Sequence, residues 1–340
     1  MIAALLLLPL AALATPVRLA VLHSGLSRDG PGLLLRDIRR SDADILAIRD
    51  VIVAMRPDVL LLLRFDYDLD AAALRAFAAL LDEGGHTMPH HFAWRPNTGM
   101  ATGLDMVGDG RTGTADDAQG FGRYAGAGGM AILSRLPVVS SHAHDYSAFL
   151  WRDLPDALIP QRDGAAFPSD EVFAVQRLSS TGHWRVPVLL PDGRHLTLLA
   201  WHSGPPVFGG PLARNRRRNH DETAFWLHLL NGALPFPPPE PPFVLLGNSN
   251  LDPEHGDGIH AAMQALLSHP ALQDPRPVGR RPGTEADSAA TAYWPDGPGA
   301  LRVSYILPDS TITVSDSGLV WPPLPARHAM VWTDLMPQGP

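Results

Sequence analysis

The chain has no cysteine and no lysine, so all 27 of its strongly basic side chains are arginine. Without cysteine no disulfide can staple the fold, and 340 residues with 45% apolar content must hold together through a continuous core. The net charge of −8 has the wrong sign for broad capture of nucleic acid, and no basic stripe with interleaved aromatics is present. A Gly-x-Ser-x-Gly elbow is also missing, which disfavours a serine hydrolase. After the first fourteen residues no apolar run approaches the ~20 residues that a spanning helix needs. No internal repeat of fixed period occurs.

What is present begins with an apolar run, Met1 to Ala14, in which Ala12-Leu13-Ala14 fits the small-x-small cleavage rule. It reads as a signal peptide, residues 1–14, which implies a secreted or periplasmic protein. Because a charged n-region is missing, a retained anchor is the alternative. The remainder, residues 16–335, alternates strands and helices without a clean split and reads as one mixed domain.

Val17 to Leu22 predicts a strand, ending at His23. Asp44 to Met55 predicts a helix with Ile45, Ile48, Val51 and Ile52 on one face, and Val59 to Leu63 a second strand ending at Arg64. Ala71 to Leu81 predicts another amphipathic helix. Residues 95–129 are rich in Gly, Asp and Thr, and their length predicts an ordered excursion near a site. The acids Asp105, Asp109, Asp116 and Asp117 match no calcium-loop spacing and read as solvated. Gly129 to Leu133 is strand-like, and Trp184 to Leu190 with His195 to Ala200 forms a hairpin about Asp192-Gly193. Asn219 to Leu230 predicts a helix with Phe225, Trp226, Leu229 and Leu230 inward. Before it, Arg214 and Arg216 to Arg218 read as a solvated helix start or as groups near the site. His260 to Leu267 predicts a helix, Leu301 to Leu307 and Thr311 to Val314 strands, and the chain closes with Ala326 to Trp332.

The most informative stretch is Phe243 to Pro253, FVLLGNSNLDP. Its apolar run reads as a buried strand, beyond which Asn248 and Asn250 alternate and so project to one side; a simple turn is the alternative. The same character, an apolar run followed by polar residues, recurs at His23, Arg64, His202, Ser304, and Arg327 with His328. Open sheets keep their sites at such strand ends.

In this order the segments RPDVLLLLRFDYD, GMAILSRLPV, LLAWHSGPP, RRNHDETAFW, FVLLGNSNLDP, LRVSYILPDS and ARHAMVW resemble the endonuclease/exonuclease/phosphatase superfamily. These are metal-dependent phosphoesterases with the pancreatic-deoxyribonuclease-like fold, and the likeness is greatest to the secreted bacterial branch. The resemblance covers nearly all of the mature chain. It implies an α/β (α+β) fold, a four-layer α/β/β/α sandwich of two mixed sheets flanked by helices, with the site at one end. It implies a divalent metal, usually magnesium, on carboxylates, a histidine oriented by an aspartate to activate water, and asparagine and a second histidine on phosphate oxygens.

Carried over by position, the resemblance makes His328, His202, Asn250 and Tyr305 the retained catalytic residues. It also implies substitutions. His23 stands for an asparagine, Arg64 for the metal-binding glutamate, Asn248 for the aspartate of Gly-Asp-x-Asn, Ser304 for the aspartate of Asp-Tyr, and Arg327 for the aspartate of Ser-Asp-His. A magnesium ion ~5 Å from a guanidinium at an effective dielectric of ~20 is repelled by several kcal/mol, comparable with the whole binding energy of a weak metal site. Asparagine, serine and neutral histidine are poor replacements for the missing oxygen anions.

Three readings are open. The chain is a degenerate member in which Arg64, Arg327, Asn248, His23 and Ser304 line a pocket for a phosphate-containing or other small anionic ligand, with no cofactor. Alternatively it is an active phosphoesterase with altered chemistry, either zinc on His23, His202 and His328 or arginine and histidine without metal. The third is a non-catalytic module that binds an envelope partner. For the arginines there is also a plain alternative, pairing with Asp66 or Asp68. Neither nucleic acid nor, after signal cleavage, a membrane is an expected partner.

Overall fold

Strand Val59–Phe65 is buried at every position but Arg64, which is why its sequence is an unbroken apolar run: it lies between a helical layer and a second sheet. The computed structural model describes residues 16–323 and 326–336, so the signal-peptide expectation for residues 1–14 lies outside the described residues. The first sheet joins β1 (Val17–His23), β2 (Val59–Phe65), β3 (His90–Phe92), β4 (Gly129–Ser134), β14 (Thr313–Val320) and β15 (Met330–Met336) in the order β14-β15-β1-β2-β4-β3. The second joins β5 (His144–Asp145), β8 (Gly182–Leu189), β9 (His195–His202), β10 (Phe243–Asn248) and β13 (Ser304–Pro308) in the order β13-β10-β9-β8-β5. Both sheets are mixed: β1 with β2 and β9 with β10 are the parallel pairs. Two short ribbons, β6 (Gln161–Arg162) with β7 (Ala165–Ala166) and β11 (Ala292–Trp294) with β12 (Gly299–Leu301), stand apart.

The period-2 alternation of the strands sorts the core into layers. Val17, Leu19 and Val21 of β1 meet Leu198, Ala200, Val244 and Leu246 of the second sheet. The opposite face of the first sheet, Ala20, Leu22, Leu60 and Leu62, packs on α1 (Leu33–Arg39), α2 (Ala43–Met55) and α3 (Ala72–Glu83). That of the second, with Leu199, Trp201, Phe243 and Leu245, packs on α5 (Arg214–Leu230) and α6 (Ala261–Leu267), while α4 (Asp170–Val175) contributes Phe173. The result is the α/β/β/α sandwich that the resemblance implied.

Some element boundaries differ from the sequence expectation. Helix α5 begins at Arg214, so the arginine cluster is its first turn and a half rather than a preceding segment. The expected strand from Leu301 to Leu307 is broken at Arg302-Val303, because the Arg302 amide donates to Asp252 and the Val303 amide to Thr291 Oγ1 instead of to a strand. The last hairpin is longer than expected, with β14 running from Thr313 to Val320. Helix α1 was not expected at all, its LLLRDIR being too short for periodicity to declare itself.

The 95–129 excursion is ordered by backbone bridges Thr98 to Gly120 and Ala101 to Ala118. Its acids serve as local caps. Asp105 accepts from the amides of Gly108 and Gly110 at 2.6 and 2.7 Å, and Asp117, 2% exposed, accepts from Met106 and Thr114. For Asp117 this corrects the expectation of a solvated acid.

Candidate functional site

The parallel pairs bring the ends of β1, β2, β9 and β10 to one end of the sandwich, where β13 and β15, running antiparallel to their neighbours, begin. There a cavity of about 1020 Å³ opens between the two sheets. Its floor includes His23, Arg64, His202, Asn250, Arg327 and His328. Six of the nine residues singled out from sequence thus face one space.

His202 follows the phase of Leu196, Leu198 and Ala200, so it points between the sheets. Arg64 reaches the cavity differently. By alternation it would follow Leu60 and Leu62 into the helical layer, but the register of β2 slips between Leu63 and Phe65, with Arg64 at φ 57°. This bulge re-aims one side chain and reverses the phase after it, so Phe65 takes the place among the helices. Gly128 leaves room for the guanidinium stem, since a Cβ there would lie 3.3 Å from Arg64 Cδ.

Three expected residues do not line the cavity. Asn248 and Ser304 are cross-strand partners in register and fully buried behind the floor, with Asn248 Nδ2 donating to Ser304 Oγ at 3.3 Å. Asn248 Oδ1 accepts the Asn250 amide at 2.6 Å. The expectation that Asn248 and Asn250 share one side is corrected: Asn250 adopts φ 51°, which breaks the alternation and sends its side chain to the Ser203 carbonyl at 2.7 Å. Tyr305, one residue out of phase with Ser304, faces the helical layer, its hydroxyl 2.6 Å from the Arg302 carbonyl and 2.9 Å from that of Leu251. It supports the loops beneath the floor.

The imidazoles are packed on one another. His23 stacks on His328 with ring centroids 3.9 Å apart and an interplanar angle of 21°, and meets His202 edge-on at 5.4 Å. Nearly parallel stacked rings direct their in-plane lone pairs alongside each other, not toward a common centre, and among the described residues no group of three His, Asp or Glu is placed to hold a metal ion. The His23, His202, His328 zinc set does not fit this geometry. Magnesium is served no better. Of the two cavity-lining carboxylates, Asp44 is ion-paired with Arg28 at 2.7 Å, while Asp116 is exposed and lies near Arg214. The floor itself carries two guanidinium groups and no acid, so the donors present do not suit a hard dication.

Neither Arg64 nor Arg327 forms an ion pair with a described residue. Asp66, one alternative partner, instead accepts from Ser27, the Arg28 amide and the Gly128 amide, and Asp68 caps α3 through the Ala73 amide. The pairing alternative is thereby corrected. Ser203, missed from sequence although adjacent to His202, also lines the cavity, and its buried hydroxyl has no partner among the described residues.

Burial, reinforced by Arg64 and His328, pushes His202 down to about 3; burial, Arg327 and Arg64 do the same to His328, also to about 3. His23 is lowered by burial and then by His328, His202 and Arg64. A base so weak is a poor proton acceptor at neutral pH. The buried Nδ1 atoms of His202 and His328 have no partner among the described residues, so no hydrogen bond there sets the tautomer.

These shifts give a pH prediction. The unfolded chain protonates His202 and His328 near 6.5, but the folded chain only near 3, as does His183 near 4. Unfolded protein therefore binds more protons across that window. Stability is complete above about 6.5 and falls toward 3, by up to ~1.4 kcal/mol per pH unit for each ring. Glu222, raised by burial to about 7, acts in the opposite sense between 7 and 4.5 and offsets one ring. Thermal melts should show a lower midpoint at pH 5 than at pH 7.5; equal midpoints contradict the burial of neutral imidazoles.

Comparison with known proteins agrees with this architecture. The Endonuclease/Exonuclease/phosphatase family model matches residues 23–333. Similar solved structures include an endonuclease/exonuclease/phosphatase from Beutenbergia cavernae, with TM-score 0.57 and 17% identity, covering 95% of this chain and 72% of that one. A family protein from Leptotrichia buccalis has TM-score 0.53 and 13% identity, covering 94% and 99%. The human Nocturnin catalytic domain with bound sulfate anion has TM-score 0.51 and 13% identity, covering 94% and 93%. No curated protein sequence matches the chain. The family model extends from the last residue of β1 into β15 and over every strand end that forms the cavity floor, and the chain belongs to the Endonuclease/Exonuclease/phosphatase family.

Proposed function

We propose that this chain binds a phosphate-bearing or other small anion in the cavity through Arg64 and Arg327, and that it is inactive or impaired as a metal-dependent phosphoesterase. The observation that carries the reading is the pair of guanidinium groups on the floor, without ion-pair partners among the described residues, at positions where the family resemblance implies carboxylates. Guanidinium groups bind phosphate bidentately and keep their charge at every relevant pH, so they supply the positive potential that a metal otherwise provides. Neutral His202 and Asn250 add polar contacts. The apolar run at residues 1–14 supports an extracytoplasmic setting for this role.

Two measurements test it together. Purified protein titrated with inorganic phosphate should release or take up heat with saturable binding, and the signal should be indifferent to chelator. The same protein should not turn over bis(4-nitrophenyl) phosphate with magnesium, manganese or zinc. Chelator-sensitive turnover that disappears in His328→Ala overturns the proposal.

A further inference from the structure

The floor occupies only part of the cavity. An anion displacing a few waters, each about 30 Å³, fills roughly a tenth of the ~1020 Å³ available. The whole space is at the upper end of what holds a drug-sized organic ligand. Three aromatic side chains also line it. Trp294 stands edge-on to His328 with centroids 5.3 Å apart, and Phe121 and Phe208 border the same cavity.

Both phenylalanines are unusually exposed, Phe121 at 62% and Phe208 at 91%, whereas the chain buries its other large aromatic side chains readily. Their backbones, however, are held. Phe121 lies between Gly120 and Gly122, where added Cβ atoms would be 1.9 Å from the Ser180 oxygen and 2.5 Å from the Gly99 nitrogen. Each glycine thus permits backbone to press on backbone, and the side chain between them is fixed outward. Phe208 has φ 67°, rare for a bulky residue. The next residue, Gly209, packs against the Asn215 amide at the start of α5, and Asn215 Nδ2 donates to the Val207 carbonyl at 2.9 Å. Two independent loops therefore spend tight, glycine-dependent backbone geometry to present phenylalanine at the mouth of one cavity.

We infer that Phe121, Phe208 and Trp294 form an aryl subsite, and that the ligand is a free organic phosphate ester carrying a planar aromatic group, phosphate on the arginine floor and ring in that subsite. Aromatic faces bind planar rings by offset or edge contacts, which an extended acyl chain does not exploit. A chain of net charge −8 without lysine has little attraction for an anionic lipid surface. The inference rests on the anion reading above and adds the other half of the ligand.

Calorimetric titration with 1-naphthyl phosphate and with inorganic phosphate tests it. The wild-type chain should prefer the aryl ester by about tenfold or more. In Phe121→Ala/Phe208→Ala that ratio should fall toward one, and in Phe121→Tyr/Phe208→Tyr it should persist. Exposed positions of this kind seldom unsettle a fold, and coincident melting curves verify that. A wild-type ratio near one, or a ratio unmoved by the alanine pair, overturns the aryl subsite while leaving the anion site standing. Binding of neither probe overturns both. Sedimentation with phosphatidylcholine vesicles supplies the remaining arm: if wild-type protein co-sediments and the alanine pair does not, the subsite faces lipid and the assignment to a free ester is wrong.

Discussion

Replacing Arg64 and Arg327 together by alanine should weaken binding of inorganic phosphate about a hundredfold. A hydrogen bond to a charged group contributes roughly 1.5–3 kcal/mol, and since both guanidinium groups are solvent-exposed the lower figure applies to each; a sum near 3 kcal/mol is about two decades in affinity. Binding to the wild-type chain should weaken as salt rises, because exposed charges are screened over ~10 Å at 0.1 M. Arg64→Lys with Arg327→Lys should restore only part of the affinity, since an ammonium keeps the charge but loses the planar fork. The folded chain should not suffer. Removing unpaired cations beside stacked imidazoles leaves the melting temperature unchanged or raises it, and the His202 and His328 titrations, now free of Arg64, should move up toward their ordinary range. Phosphate affinity within threefold of wild type, or a chain that unfolds when the arginines go, contradicts a ligand-binding role for this pair.

Replacing Arg218 by alanine should have the largest effect on stability, about 3–5 kcal/mol. The sequence reads Arg214 to Arg218 as one basic cluster, but its members differ. Arg218 is 5% exposed, and its guanidinium donates to four backbone carbonyls, those of Gln119, Arg177, Leu178 and Ser179, at 2.6–3.0 Å. It also balances the fully buried Glu222, whose carboxylate receives the amides of Ser180 and Gly204. Deleting it removes the donor to the Leu178 carbonyl, leaves those of Gln119, Arg177 and Ser179 with only their bonds from Gln176 and Asn97, and takes the counter-charge from Glu222, so the pKa of Glu222 rises beyond about 7. Because the segment that supplies the carbonyls of residues 177–179 continues into Ser180 and Thr181, which line the cavity, phosphate affinity should decline with stability. Arg218→Lys, with three donors in place of five, should recover less than half of the loss. Equilibrium denaturation measures both; a change below about 1 kcal/mol for the alanine variant means that water or rearrangement satisfies the carbonyls.

The difference between the two floor arginines and Arg218 shows what a one-dimensional pattern carries. Arg64 was legible because it follows an apolar run, and a strand end is a place a sequence can mark; Arg327, just before β15, was legible through the motif Ala326-Arg327-His328. Arg218 was legible only as one of a cluster read as a solvated helix start or as groups near the site; it does border the cavity, but i, i+3 and i, i+4 spacing says which residues share a helix face and not that the face closes on the carbonyls of a loop 40 residues earlier. Asn248, Ser304 and Tyr305 are instructive in the same way. Alternation correctly puts Ser304 on the inner face and its neighbour Tyr305 on the outer, yet their common place in a motif put both at the site. Phe121 and Phe208 had a signal, phenylalanine next to glycine outside any strand or helix pattern, but its meaning depends on which backbone the glycine presses against.

By itself the amino-acid order determined the layers and the polar strand ends, because burial on one or both faces of a strand is written in the period of its apolar residues. Only the tertiary structure decided which of those ends share a cavity and which lie behind it, through a one-residue bulge at Arg64 and a left-handed turn at Asn250. A single residue's backbone angle shifts every later side chain by one face. Angles of that kind are settled by packing between distant segments, which no local stretch of sequence contains.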